Sequence, residues 1–224
     1  MRGFAIALCA VALTGCSNAS GPSMLTTVWE QVKASREDRP KPVKKTLPRS
    51  EIDRLNVAMI QMNLEGEAAW PLMLPAGRNG PHVTYANKLR QSLILNESQI
   101  VATRGLGTDL IAAESGANDP LKSLTPPADW PQTVTRAYRF AGAGPAGREM
   151  RFTCTLARAG AASITLAGTP IPVIGFQETC TGAEGTFQNR YAADKTTGRV
   201  WKSQQFVGFD IAPVNLDILE PLTE

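Results

Sequence analysis

Apolar and polar residues alternate with a period of two along most of this chain, as they do in strands with one buried and one wetted face. Met150, Phe152, Cys154 and Leu156 alternate with Arg151, Thr153 and Thr155; Ala162, Ile164 and Leu166 do the same with Ser163 and Thr165. Ala58, Ile60, Met62 and Leu64 face one way while Gln61 and Asn63 face the other, a side that Val57 and Met59 keep partly apolar. Further strands are predicted over 69–74, 81–86, 90–95, 98–103, 132–140, 171–180, 186–193 and 199–207. The spacers carry turn chemistry: Ala159-Gly160, Gly168-Thr169-Pro170, Gly182 to Gly185 and Asp194 to Gly198. Connections this short join antiparallel neighbours, because a parallel crossover needs about a dozen residues or more. The fold class is therefore all-β with short helices: an antiparallel meander forming a barrel-like or half-open sheet.

Three stretches break the period. Leu25, Val28, Trp29 and Val32 fall at i, i+3, i+4 and i+7, which predicts a short amphipathic helix within Met24 to Ala34. Arg36 to Arg49 holds six basic residues, two acidic ones and three prolines, too charged for a core and too proline-rich for a helix, so it reads as an extended linker. An electrostatic contact with anionic headgroups or an acidic polymer is the functional alternative for it. The third stretch is a second short helix predicted at Asp109 to Glu114, with Thr108 as its cap. Thr125-Pro126-Pro127 and Trp130-Pro131 then form a rigid extended connection.

The N-terminus is a targeting segment. Arg2 gives a positive start, and Phe4 to Leu13 is an apolar run of ten residues, too short to span a bilayer. It ends in Leu13-Thr14-Gly15-Cys16, the bacterial lipobox pattern, in which a thiol is needed to take the diacylglycerol. Cys9 lies inside the apolar run without the small pair ahead of it. Residues 1–15 are thus read as a signal peptide, 16–49 as a lipidated tether with a short helix and basic linker, and 50–224 as a single β-rich domain. Several acyl chains on Cys16, each buried methylene contributing roughly 0.8 kcal/mol, would anchor the chain firmly to a lipid bilayer. Ser17 after the lipidated Cys favours export to the outer membrane over retention.

Composition then narrows the chemistry. A net charge of +3 over 224 residues is too weak for general nucleic-acid binding, which wants a clustered basic face, and none is expected. The single His excludes a His-rich metal site and leaves any His-dependent hydrolase hanging on His82, read as a strand-start residue. Gly142 to Gly147 formally fits G-x-G-x-x-G, but it lies between two strands with no helix after it and reads as a hairpin loop. No nucleophile elbow, phosphate loop or zinc spacing occurs, so no catalytic residue, metal ligand or cofactor is assigned beyond the lipid on Cys16. Cys154 and Cys180 are the cysteines left in the mature body, and an oxidising envelope compartment favours a disulfide between them. In a plain meander another strand would separate theirs, too far for a bridge. A disulfide and two buried thiols therefore both remain open.

Thr103-Arg104-Gly105-Leu106-Gly107-Thr108-Asp109-Leu110, followed by Asp119-Pro120-Leu121, resembles the middle block of the YjbF/GfcB-type group 4 capsule polysaccharide lipoproteins. Phe152-x-Cys154, Glu178-x-Cys180, Asn189-x-Tyr191 and Gly198-Arg199-Val200-Trp201-x-Ser203-x-Gln205 follow in the family's order. The departure lies at 80–100, where Ser98-Gln99-Ile100 replaces the family's Gly-Arg-Ile. The resemblance implies an outer-membrane lipoprotein with a β-barrel-like body facing the periplasm, and a non-catalytic accessory role in exopolysaccharide or capsule export. It implies the polymer or the secretion machinery as partner and brings no catalytic residue. The candidate contact surface is Arg104 and Asp109 at the Gly-punctuated turn, with Trp201 and Lys202 on the last predicted strand; a structural corner and a core Trp are the competing readings. A carrier of lipid or another hydrophobic ligand and a polysaccharide-modifying hydrolase are the rival functions.

Overall fold

The computed structural model describes residues 47–142 and 147–222. The signal-peptide core, Cys16, the helix at 24–34 and the linker up to residue 46 lie outside the described residues. So do residues 143–146 of the G-x-G-x-x-G loop.

The described chain is one twelve-stranded antiparallel sheet, nearly closed into a barrel. In chain order it runs α1 (Arg49–Leu55), β1 (Met59–Leu64), β2 (Leu72–Asn79), β3 (His82–Ala86), β4 (Ser92–Asn96), β5 (Gln99–Arg104), β6 (Leu110–Ser115), β7 (Thr133–Phe140), β8 (Arg148–Leu166), β9 (Thr169–Gly182), β10 (Gly185–Asp194), β11 (Val200–Gln205) and β12 (Val214–Glu220). Across the sheet the order is β5-β4-β3-β2-β1-β12-β11-β10-β9-β8-β7-β6, a meander in which β12 returns to pair with β1. The two end strands, β5 and β6, are consecutive in the chain and are joined by the turn at 105–109.

Ile60, Met62, Met73, Leu93, Val134, Met150, Phe152, Phe176, Val214 and Leu216 line the interior as one core. Aromatic rings fill one part of it. Phe187 stacks on Phe206 at 3.9 Å, with Tyr138, Phe152 and Phe209 edge-on or tilted around them. Trp130 stacks on Phe176 at 4.1 Å, and its indole N–H donates to the Thr125 carbonyl. The connection after β6 thus dips inward, burying Asp119, Pro120, Leu121 and Trp130.

Four expectations are corrected. The linker ends earlier and a helix intervenes before the sheet, because Ile52 buries completely against Met59, Leu166 and Leu219. Arg49, at the start of that helix, pairs with Asp53 and Glu220 and donates to the Leu219 carbonyl. The predicted helix at 109–114 is instead β6. Six residues form too short a helix to repay nucleation, whereas the ladder to β7 pairs them and buries Leu110. The Ala159-Gly160 turn is a bulge within a single strand of 19 residues, so β8 pairs directly with β9 from Phe152↔Gly182 to Leu166↔Thr169. Finally, the C-terminal Val214–Glu220 forms a strand that the alternation pattern did not single out.

The bulge also answers the disulfide question. With no strand between them, Cys154 and Cys180 are direct cross-strand partners with Cα atoms 4.0 Å apart, and they are bridged.

Candidate functional site

The motif residues assemble at two places, the sheet seam and the barrel interior. At the seam, β5 and β6 are tied by side chains. Thr103 Oγ1 accepts from the Leu110 N–H at 2.9 Å and donates to Asp109 at 3.2 Å. The Asp109 carboxylate also accepts from the backbone N–H groups of Gly105 and Leu106, while Arg104 donates to the Leu110 carbonyl at 2.9 Å. At the far end, Ser115 donates to Gln99 Oε1 at 3.1 Å. Gly105 has φ +75°, and a Cβ there would lie 2.4 Å from the Arg90 carbonyl oxygen. Arg104 and Asp109 are thus brought together, engaged in closing the sheet.

Inside, Arg136 Nε donates to Glu178 Oε1 at 2.9 Å, and its Nη1 to Asp119 Oδ2 at 2.6 Å. Glu178 Oε2 accepts from Asn189 and from the Tyr191 hydroxyl at 2.6 and 2.7 Å. Asn189 Oδ1 in turn accepts from the Phe206 N–H, and Asp119 Oδ1 caps Leu121. Every charged member is essentially without solvent exposure. Burial pushes the Tyr191 hydroxyl well up from its ordinary pKa, reinforced by the adjacent Glu178 charge; Tyr138 shifts up for the same first reason. Burial opposes the charge on Arg136, but Tyr191, Glu178 and Asp119 outweigh it and hold the guanidinium protonated.

The blocks D-P-L, E-x-C, N-x-Y and S-x-Q, far apart in the chain, therefore converge. Gln205 completes the set by donating to the Ser98 carbonyl and accepting from the Ile100 N–H, which links β11 across the interior to β5. Cys154, Glu178 and Cys180 lie close enough to suggest a metal set, but the two sulfurs are committed to each other. Arg136 Nη2 is the exception among these groups, lying 2.9 Å from Glu178 Oε1 as an ion pair without a hydrogen bond of its own, and the remaining pairings suit the network to holding the barrel's inner geometry.

Trp201 and Lys202 project to opposite faces of β11. Trp201 packs against the interior and the small cluster under α1, with the Arg199 guanidinium 5.9 Å from its ring. Lys202 points outward into a cleft of about 450 Å³ lined by Trp70, Arg190, Gln204, Asn215 and Asp217. There Lys202 pairs with the buried Asp217 at 3.7 Å. Beside this pair a ladder of amides crosses four strands: Arg190 donates to Gln204, Gln204 to Asn215, and Asn215 to Asn63, at 3.2, 3.2 and 2.9 Å. Gln204 also donates to Glu65. Asn63 and Gln61 face outward yet are almost fully buried, with Gln61 donating to the Trp70 carbonyl at 3.1 Å. Of this cleft the candidate list contained Lys202 alone. The outward position of Gln61 and Asn63 was readable from the alternation, but Trp70 lies in a loop and Asn215 on the missed strand.

The model of the group 4 capsule polysaccharide lipoprotein family, GfcB and YjbF, matches residues 27–219. The chain belongs to this family. Among solved structures it is similar to the hypothetical lipoprotein YmcC from Escherichia coli K12, with TM-score 0.67 and 18% identity over 92% of this chain and 100% of that one. That likeness establishes the shared fold. No curated protein sequence matches the chain. A family member of this kind is a capsule-associated lipoprotein of the cell envelope.

Proposed function

We propose that this member of the family is a non-catalytic accessory of exopolysaccharide or capsule export, held at the outer membrane by acyl chains on Cys16 with its β-body in the periplasm. It acts by engaging the polymer or a component of the secretion machinery. The observation that carries this reading is the family match across nearly the whole mature chain. The structure adds two kinds of support. The carboxylates of the motif blocks are locked in a buried network beneath the sheet, rather than set across an open cleft as a glycosidase pair would be. The stacked rings of the interior occupy space that a carried acyl chain would need, which favours this reading over the lipid carrier.

Deletion of the gene tests the role: secreted polysaccharide is expected to fall and to return with the wild-type gene, and an unchanged yield would remove the proposal. Cys16→Ser is expected to release the protein from the membrane fraction. Retention of that variant with the membranes would overturn the anchor.

A further inference from the structure

One edge of the sheet is left open where the long hairpin outruns its neighbours. β7 pairs with β8 only as far as Thr133↔Thr155, and just beyond it the Leu156 N–H donates to the Gln132 carbonyl. Residues 157–166 of β8 then have β9 on one side and, among the described residues, no strand on the other. The ribbon stands in solvent there. Ala161, Ala162, Ser163 and Thr165 are all exposed although consecutive side chains point to opposite faces, and a Cβ added to Gly160 would meet nothing within 4 Å. Register fixes which backbone groups face out. Pro170 and Pro172 lack an N–H and lie opposite Thr165 and Ser163, so the ladder bonds to β9 run through Ala162↔Val173 and Ile164↔Ile171. The N–H and C=O groups of Ala161, Ser163 and Thr165 are thereby turned to the open side. On β9 the corresponding edge, beyond Val173↔Asp194, is guarded by those same two prolines. On β8 the stretch from Ala159 to Leu166 carries neither proline nor charge.

We propose that this edge of β8 pairs with the same edge of a second copy, joining two molecules into a two-fold dimer through a continuous sheet. Self-complementarity and charge select that occupant. Antiparallel pairing of Ser163 with the partner's Ser163 sets Ala161 opposite the partner's Thr165 and satisfies every outward group with about six backbone hydrogen bonds. The side chains that meet are small or β-branched and uncharged, so no like charges are opposed. The flanking Arg158 falls opposite the partner's Gly168, in the hairpin turn. Pairing also ends at two copies. The prolines of β9 deny a second receiving edge, so the contact is isologous and closes instead of growing into a fibre. The chain enters the body beside this edge: Leu47 packs on Ile164, Leu166 and Ile171, and the Arg49 N–H donates to the Ala167 carbonyl. Residues 16–46 connect that point to Cys16, so the acyl anchor keeps both copies within roughly 100 Å of one bilayer. An edge this short buries less than the about 1,600 Å² of a standard interface, and confinement to a surface supplies the difference as effective concentration. That last point rests on the anchor of the proposed function; the edge pairing does not.

The test uses the mature lipidated protein in proteoliposomes at graded surface density, with donor and acceptor fluorophores on separate copies. Energy transfer is expected to rise with density to the plateau of a dimer. Ser163→Pro removes an outward donor from each copy and should move that rise to at least about tenfold higher density. Ser163→Lys sets like charges face to face and should weaken pairing too, while keeping the wild-type urea midpoint because this side chain is exposed. Cys154 and Cys180 are already bridged, so mild oxidation of Ser163→Cys should cross-link two copies through the new thiol. Lys195→Cys, also exposed but away from the edge, should not cross-link. The Cys16→Ser protein is expected to dimerise in solution at high concentration, so the edge is tested apart from the anchor. Energy transfer no greater than random crowding gives, or unchanged in both Ser163 variants, would overturn the proposal. A monomer whose 161–165 amides nonetheless exchange slowly would give the edge to residues before Leu47 of the same chain. A Ser163→Cys adduct with a different protein in cells would give it to another partner. Either result overturns the second copy as occupant.

Discussion

The residue most central to the interior is Glu178, whose carboxylate meets Arg136, Asn189 and Tyr191 while Cys180, two residues on, bridges to β8. Neutralising Glu178 leaves Arg136 with Asp119 as its counter-ion but removes the charge from the bonds to Arg136, Asn189 and Tyr191, a loss of about 1.5–3 kcal/mol, the worth of one hydrogen bond to a charged group. Glu178→Gln is therefore expected to lower the urea midpoint by that equivalent, with a smaller loss for Tyr191→Phe, which removes one hydrogen bond. If Glu178→Gln unfolds at the wild-type midpoint, the network has no structural weight. The disulfide is a second residue-scale contribution. The Cys154→Ala, Cys180→Ala double variant should lose roughly 2–4 kcal/mol, read by denaturation without reductant. Gly198 is constrained differently: at φ +77°, a Cβ would fall 1.8 Å from the Thr125 carbonyl oxygen, so Gly198→Ala must displace the inward-dipping connection that carries Trp130.

At the scale of elements, the informative place is the seam. Neighbouring strands elsewhere are held by backbone ladders, whereas β5 and β6 are joined through Thr103, Asp109, Arg104, Ser115 and Gln99. Such a junction is weaker than a ladder and lies at the low-stability end of the fold. Thr103→Val keeps the shape of the side chain but removes its donor and acceptor, leaving the buried Leu110 N–H without its partner. The expected loss is about 1–3 kcal/mol, with faster hydrogen exchange in β5 and β6 than in β8 and β9. Uniform acceleration across the sheet would instead mean that the seam is not a separate opening unit. The long β8–β9 hairpin is the counterpart, paired along almost its whole length and cross-linked at Cys154–Cys180.

For the whole molecule, burial sets the response to pH. Tyr138 and Tyr191 have raised folded-state pKa values, so the native state keeps their protons when an unfolded tyrosine, near 10.0, would release them. The stability they favour is fully present below that unfolded value and is lost as the pH climbs above it toward the folded values. Tyrosinate absorbance and loss of circular dichroism are therefore expected to rise together above about pH 10, as one cooperative step. Tyrosines that titrate well before the structure is lost would show that the interior admits water.

How much of this was legible follows from the range of each interaction. Period-two alternation reports the burial of single faces, so the all-β class and the antiparallel order could be read directly from positions such as Met150 to Leu156. The lipobox is likewise a local pattern, with its meaning carried by four adjacent residues. Asp109 to Glu114 failed because a helix-like local pattern lost to pairing with a strand some twenty residues away, and Ala159-Gly160 failed because a bulge and a turn use the same residues. The meeting of Asp119, Arg136, Glu178, Asn189 and Tyr191, and the crossing of Asn63, Gln204 and Asn215 over three strands, depend on register. Register is chosen by closing a twelve-stranded sheet around one core, a condition that no short window of sequence contains. The sequence by itself determined which faces are buried and the all-β class. Only the tertiary structure decided which distant polar residues share a neighbourhood, because that follows from simultaneous packing of the whole barrel.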